Sequence, residues 1–412
     1  MNKYLKQLHW QIFISMILGI IIGLRINLDS SIYVLIITLG VIFIKLLKMI
    51  TIPLIFTSIL TGITNVTNFN KLGRIGLKTI FYYLTTSLFA IIIGLGLTNA
   101  LKPGDSYTLS KKTEIYDYNN LNTPDSTLDI FVRMIPTNPV SAAANGDMLS
   151  IIFFTILLGI AITQLPTGHK NNLTSFFESS FQAIMQLTQM IIKISPIGVF
   201  GLIVTTVSTT NLELFYSIGK YMLTIVLGLS IHIFITLPIL FFFITRINPL
   251  KHFKAMASAM ATAFSTSSSS STLPVTIKCV NQKVKASKEV SGFVLPMGAT
   301  VNMDGTALYE CAGVIFISQI LGVDLTMTQQ LTVVITALLA SIGAAGIPSA
   351  GLVMIFIVTQ AVGFNDADVA LIIGAMLAVD RPLDMFRTMV NVTSDSIGAA
   401  VIAHSEGEKL YS

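Results

Sequence analysis

Long apolar runs separated by short polar ones fill the first 250 residues. They lie at about 10–28, 32–63, 77–101, 149–165, 181–206 and 217–245, and each has the roughly 17 residues or more that a helix needs to cross a bilayer. The run 32–63 carries Lys45 and Lys48. Its excess length predicts a tilted span whose lysines snorkel or face protein. Beyond residue 250 the pattern changes. One apolar segment, Phe253 to Phe264 and Val275 to Val280, is interrupted by Ser265 to Pro274; another, Leu331 to Ala340 and Ala350 to Val362, is interrupted by Ser341 to Ser349. Arms of this length predict re-entrant helical hairpins whose tips meet at membrane depth. Each hairpin precedes an apolar span with polar residues inside it, Val290 to Leu321 and Ala370 to His404. Two halves on one plan, entering from opposite sides, form an inverted repeat, the usual sign of a transport site near the midplane.

Composition sharpens this picture. Of 412 residues 53% are hydrophobic and 11% charged, against roughly 25% charged in a soluble domain. That excludes a soluble enzyme and a disordered chain, and it allows ~10 spans at most. The first run lacks a small-residue cleavage site after it and is expected to be a retained span. The net charge of +5 is spread over loops, with no nucleic-acid-binding run. A cytoplasmic N-terminus puts Lys71, Arg74 and Lys78, then Arg246, Lys251 and Lys254, then Lys278 to Lys288 on the inner side, as the positive-inside rule requires. Asp105, Glu114, Asp117 and Asp125 then fall in a long outer loop, 102–125, expected to be irregular. The two cysteines, Cys279 and Cys311, sit in or beside apolar stretches and imply no disulfide framework.

The chemistry concentrates in the last span. Asp380, Asp384, Arg387, Asn391 and Asp395 follow at intervals of 4, 3, 4 and 4, which places them on one helical stripe about 80° wide. Each intramembrane charge costs roughly 2.5 to 3.5 kcal/mol on the mildest insertion scale, so charges of this kind line pathways and sites. Arg387 offers a planar fork for a carboxylate, and Asp384 one turn away offers a partner for an ammonium. Asn302-Met303-Asp304-Gly305-Thr306 predicts local unwinding within an apolar helix, and carbonyls there with the oxygens of Asn302, Asp304, Asn391 and Asp395 suit Na⁺. The serine-rich tip and the Ser341 to Gly346 tip would present N–H groups and hydroxyls to a carboxylate.

These motifs carry a specific resemblance. The serine run before Thr272-Leu273-Pro274, Asn302 to Thr306, Gly343 to Pro348 and Asp384 to Asp395 are similar to those of the glutamate/aspartate transporter family, the dicarboxylate and amino acid:cation symporters. The strong match covers about 255–405. The resemblance implies an all-α polytopic membrane protein with eight transmembrane helices and two re-entrant hairpins, working as an elevator in a homotrimer. It divides the chain into scaffold parts, 1–76 and 126–207, and transport parts, 77–125 and 208–412. It implies a plasma membrane protein, surrounded by lipid, with both termini cytoplasmic.

By the same resemblance Arg387 grips a side-chain carboxylate and Asp384 an amine, with Asn391, Thr388, Thr306, Gly346, Ser268 and Ser269 completing the pocket. Gly298, Asn302, Asn391 and Asp395 correspond to one sodium site, Thr300 with Ser341 and Ile342 to another, and Tyr83, Thr86, Ser87, Asn302 and Asp304 to a third. Three departures mark this chain. Ser267 stands where archaeal relatives have Arg, leaving Arg381 as the candidate to supply that charge beside Asp380 and Asp384. Ala344 replaces a Thr of some relatives, and Glu310 replaces a Gln, as in proton-coupled eukaryotic members. A carboxyl in an apolar span makes Glu310 a candidate proton carrier alongside Na⁺. The expected function is uptake of L-aspartate or L-glutamate with Na⁺ and, through Glu310, H⁺. The rivals are a C4-dicarboxylate symporter, which has no use for Asp384, and a neutral amino acid symporter, which has none for Arg387. Neither a Gly-x-Gly-Asp nor a Gly-x-Ser-x-Gly catalytic signature occurs, so no enzyme is expected.

Overall fold

A computed structural model describes residues 8–64, 69–105, 132, 134–145, 147–209, 213–343 and 350–411. Among them every regular element is helical. The first half holds α1 (Leu8–Gly23), α2 (Ser31–Thr64), α3 (Phe69–Leu101), α4 (Pro139–Asn145), α5 (Met148–Thr163), α6 (Thr167–Lys193) and α7 (Ser195–Thr209). The second half holds α8 (Glu213–Ile231), a π-helical turn (His232–Thr236), α9 (Leu237–Thr245), α10 (Pro249–Thr266), α11 (Ser269–Cys279), a second π turn (Val280–Val284), α12 (Lys288–Val301) and α13 (Asp304–Ile320). It ends with α14 (Met327–Gly343), α15 (Ala350–Val362) and α16 (Asp366–Ser405).

Among the described residues, two continuous stretches are long and apolar enough to cross a membrane by length and composition, Arg74–Leu101 and Leu214–Thr245. A bent pair, Thr167–Ile191 with Ser195–Thr205, adds a third. That pair corrects the expectation of one straight span over 181–206. The helix begins earlier and breaks at Ile194, turning by 53°. Pro196 is the local cause, because it has no N–H to give and its ring crowds the preceding turn. Helix α2 is continuous over 34 residues with Pro53 inside it, about 50 Å at 1.5 Å per residue. Lys45 on it is exposed.

α1, α2, α5, α6 and α7 pack on one another, and α3 packs with α8 and α13. α16 touches α10, α12, α13 and α8, while α14 and α15 pair and rest against α2 and α5. At the centre is α13. From Asp304 to Ser318 all of its residues are buried, as expected of a helix apolar on every side. Large apolar residues such as Ile32, Leu35, Phe81, Leu223 and Phe243 remain exposed along the outer helices, the surface a lipid-embedded protein presents.

The first hairpin differs from its expected boundaries. Its arms are 18 and 11 residues long, and only Ser267 and Ser268 are non-helical between them. Ser269 to Ser271 form the first turn of the return arm, because the Ser268 hydroxyl caps it by accepting from the Ser271 N–H at 3.2 Å. Ser267 closes α10 in the left-handed region at φ 50°. The second hairpin has arms Met327–Gly343 and Ala350–Val362. Its tip, with Ala344 and Gly346, lies outside the described residues, as does the outer loop beyond Asp105.

A short C-terminal segment closes the end of the bundle. Glu406 pairs with Arg74 and with Lys78, the latter at 2.7 Å. Glu408 Oε2 accepts from the Ser287 N–H at 2.7 Å, and the Tyr411 N–H donates to the Val284 carbonyl at 2.8 Å. Helices α3, α12 and α16 are thereby tied together at one end.

Candidate functional site

The helix that begins at Lys288 stops at Val301 and restarts at Asp304, leaving Asn302 and Met303 non-helical. The expected unwinding is present. Asn391 of α16 braces it: Oδ1 accepts from the Gly305 N–H at 2.7 Å, and Nδ2 lies 3.2 Å from the Met303 sulfur and 3.4 Å from the Thr306 hydroxyl. A side chain on Gly305 would strike the Arg387 backbone, so the two segments approach as closely as glycine allows.

The break gathers oxygens. Asp304 Oδ1 accepts from Ser87 at 2.6 Å and Thr86 at 3.2 Å, and Oδ2 from Ser394 at 2.6 Å. The Thr86 hydroxyl, with one proton to share, also lies 3.4 Å from Asn302 Oδ1 and 3.2 Å from the Tyr83 carbonyl. The Tyr83 hydroxyl donates to the Val294 carbonyl at 2.8 Å. Asn302 Nδ2 donates to Asp395 Oδ1 at 2.9 Å, and a Cβ on Gly298 would lie 2.5 Å from that oxygen. Asn302, Asp304 and Asp395 are almost wholly buried. A buried cluster of carboxylates, hydroxyls and carbonyls is a hard-oxygen set suited to an alkali cation. Thr300 sits one turn away with its hydroxyl on the Met297 carbonyl, and Ser341 places its hydroxyl on the Leu338 carbonyl. Ile342 follows it at the end of α14.

One helical turn further along α16 lies the charged centre. Arg387, 1% exposed, donates through Nη2 to Asp384 at 2.8 Å and to Asp380 at 3.1 Å. Its Nε and Nη1 have no hydrogen-bond partner. Its guanidinium lies over the Tyr309 ring at 3.8 Å, and the Tyr309 hydroxyl donates to Asp380 at 3.1 Å. Gly351 of the second hairpin faces the same group, since a Cβ there would meet Arg387 Nη1. Arg381 Nη1 stands 3.7 Å from Asp384 Oδ2. Thr388 turns its hydroxyl back to the Asp384 carbonyl at 2.8 Å. The tip serines Ser268 and Ser269 are buried, and the neighbouring Ser267 hydroxyl has no partner.

Glu310, on the same helix as Asp304, is fully buried, and neither carboxyl oxygen has a hydrogen-bond partner. The profile of the sodium:dicarboxylate symporter family matches residues 8–405. The chain belongs to that family. This symporter is 36% identical to excitatory amino acid transporter 3 of Mus musculus, over 97% of this chain and 86% of the relative. It is 35% identical to the transporter of that name from Homo sapiens, over 88% and 78%. It is 34% identical to an excitatory amino acid transporter of Caenorhabditis elegans, over 89% and 80%. The symporter is thus a multi-pass membrane transporter with sodium coupling at the level of the family.

Two residues of the site escape sequence reasoning. Tyr309 reads as an ordinary apolar-span aromatic until its ring is found under Arg387. His232 looks like one of five scattered histidines, but its Nε2 is 3.0 Å from Asp304 Oδ2. The signal for it was present, because an ionisable residue inside an apolar run is a functional candidate by default.

Proposed function

We propose that the symporter takes up L-aspartate or L-glutamate, driven by Na⁺. The observation that carries this reading is the buried guanidinium of Arg387. One nitrogen is committed to two aspartates, while Nε and Nη1 are unpartnered. Those buried N–H groups are spare charged donors, and a carboxylate is the natural acceptor for them. Burial makes unmade bonds of this kind costly, so a carboxylate that arrives there is strongly favoured. Asp384 then holds the amine of the same molecule, which a C4-dicarboxylate lacks. The relatives are named as transporters of excitatory amino acids, which agrees with an amino acid rather than a plain dicarboxylate.

Na⁺ occupies the oxygen cluster around Asp304, Asn302 and Asp395 and the Thr300, Ser341 and Ile342 group, so that loaded carboxylates cross without bare charge. Glu310 carries a proton with the substrate. Eight spans and two hairpins build a plasma membrane protomer with cytoplasmic termini. Scaffold parts 1–76 and 126–207 assemble as a homotrimer around transport parts 77–125 and 208–412 that move as an elevator. The test is uptake by purified protein in liposomes. Concentrative aspartate or glutamate uptake that needs an inward Na⁺ gradient is expected, with succinate and serine competing weakly. Strong competition by succinate would move the assignment to dicarboxylates, and purely downhill ion current would overturn it.

A further inference from the structure

The span from Glu213 to Thr245 is not a regular helix. It widens into a π turn over His232–Thr236, and the Leu237 N–H reaches back five residues to the His232 carbonyl. Pro238 is a local reason: it lacks an N–H, and its ring crowds the carbonyl four residues earlier, so the register ahead of it must give. Turns of this kind recur at functional sites. Here the turn carries His232, which is 0% exposed, and its imidazole Nε2 lies 3.0 Å from Asp304 Oδ2. Nδ1 has no partner. The neutral Nε2–H tautomer fits both facts, because it donates to the carboxylate and leaves only a lone pair unmatched.

The other donors to Asp304 are the hydroxyls of Ser87, Thr86 and Ser394. A hydroxyl can rotate and present a lone pair to an incoming cation; an imidazole N–H fixed by its ring cannot. His232 is therefore the rigid member of the set, and it holds the oxygen opposite the Ser87 and Thr86 side. We propose that His232 is a positioning residue for sodium: it fixes the Asp304 carboxylate so that Oδ1 is already aimed when the ion arrives. This inference rests on Asp304 being a sodium ligand. Outer partners that orient a metal-binding group are typically worth 10–100-fold in metal affinity.

The experiment measures two quantities in liposomes holding the purified full-length protein, the half-saturating Na⁺ concentration for aspartate uptake and the aspartate KM at saturating Na⁺. His232→Leu should raise the sodium requirement about 10-fold or more and leave that KM unchanged. His232→Gln, whose amide nitrogen can occupy the place of Nε2, should restore the sodium requirement. His232→Asn, one carbon shorter, should not. The Gln and Asn variants are both polar and decide the matter even where the Leu variant fails to fold. Equal sodium requirements in the Gln and Asn variants overturn the proposal. Asp304→Asn separates it from its premise: a normal sodium requirement in that variant overturns the sodium reading itself. A raised requirement in Asp304→Asn, with none in His232→Leu or His232→Asn, overturns the role of His232 alone.

Discussion

The Arg387 guanidinium rests on the face of Tyr309, and the same tyrosine donates its hydroxyl to Asp380, one of the two carboxylates that hold Arg387. A single side chain thus sets both the plane of the cation and the position of its counter-ion. Tyr309→Leu removes both effects. A desolvated cation–π contact is worth about 2 kcal/mol and the hydrogen bond about 1 kcal/mol, so binding of an acidic amino acid should weaken roughly 150-fold. Tyr309→Phe keeps the ring and should cost about fivefold, through the lost hydrogen bond alone. Titration calorimetry at saturating Na⁺ measures both, and equal losses would show that the ring face contributes nothing.

Gly298 sits where any side chain collides with Asp395 Oδ1 and, at 2.6 Å, with the Tyr83 hydroxyl. Gly298→Ala should push the Asp395 carboxylate away from Asn302. The sodium concentration that half-saturates uptake should rise about 10-fold or more, with a normal gel-filtration profile. An unchanged sodium requirement would remove Asp395 and Gly298 from the cation site.

Glu310 has two buried carboxyl oxygens without hydrogen-bond partners. Glu310→Gln should abolish substrate-driven acidification of the vesicle lumen and leave sodium-dependent aspartate exchange in place. Proton movement equal to that of the unaltered protein would exclude this carboxyl as the carrier.

Outside the membrane, hydrogen bonds from Lys78 and then Arg74 hold the Glu406 carboxyl below its ordinary range. A carboxyl depressed in the folded state binds fewer protons than in the unfolded chain. Its contribution is therefore complete above the unfolded value of about 4.3 and is lost as pH falls through the folded value. Glu406→Gln should lower the melting temperature slightly at pH 7, and the difference should shrink towards zero as the pH drops below about 4. A difference that persists at low pH would mean the contact is not ionic.

Much of the site was legible in sequence because charge inside an apolar run has few structural uses. The stripe from Asp380 to Asp395 and the break at Asn302 and Met303 both announce themselves in this way, and both are found in the structure. The partners of those charges were not legible. Nothing in local spacing links His232 to Asp304, 72 residues away, or Tyr309 to Arg387. The bend at Ile194 was readable from Pro196, but hydropathy alone merges the two helices it separates. The serine tip misled in the opposite sense. Serines read as turn, yet one of them, Ser268, caps a helix that its neighbours Ser269 to Ser271 then join.

Asp304 is gripped by hydroxyls from α3 and α16 and by the ring on the π turn between α8 and α9. The hydroxyls among them can both give and receive a hydrogen bond, and they make a reversible sheath around this acid while the ring stays fixed. On the proposed sodium reading these hydroxyls trade with the ion and close again when it departs, so the acid need never stand naked in a medium that punishes lone charge. A carrier furnished in this way could make its return journey without its cargo.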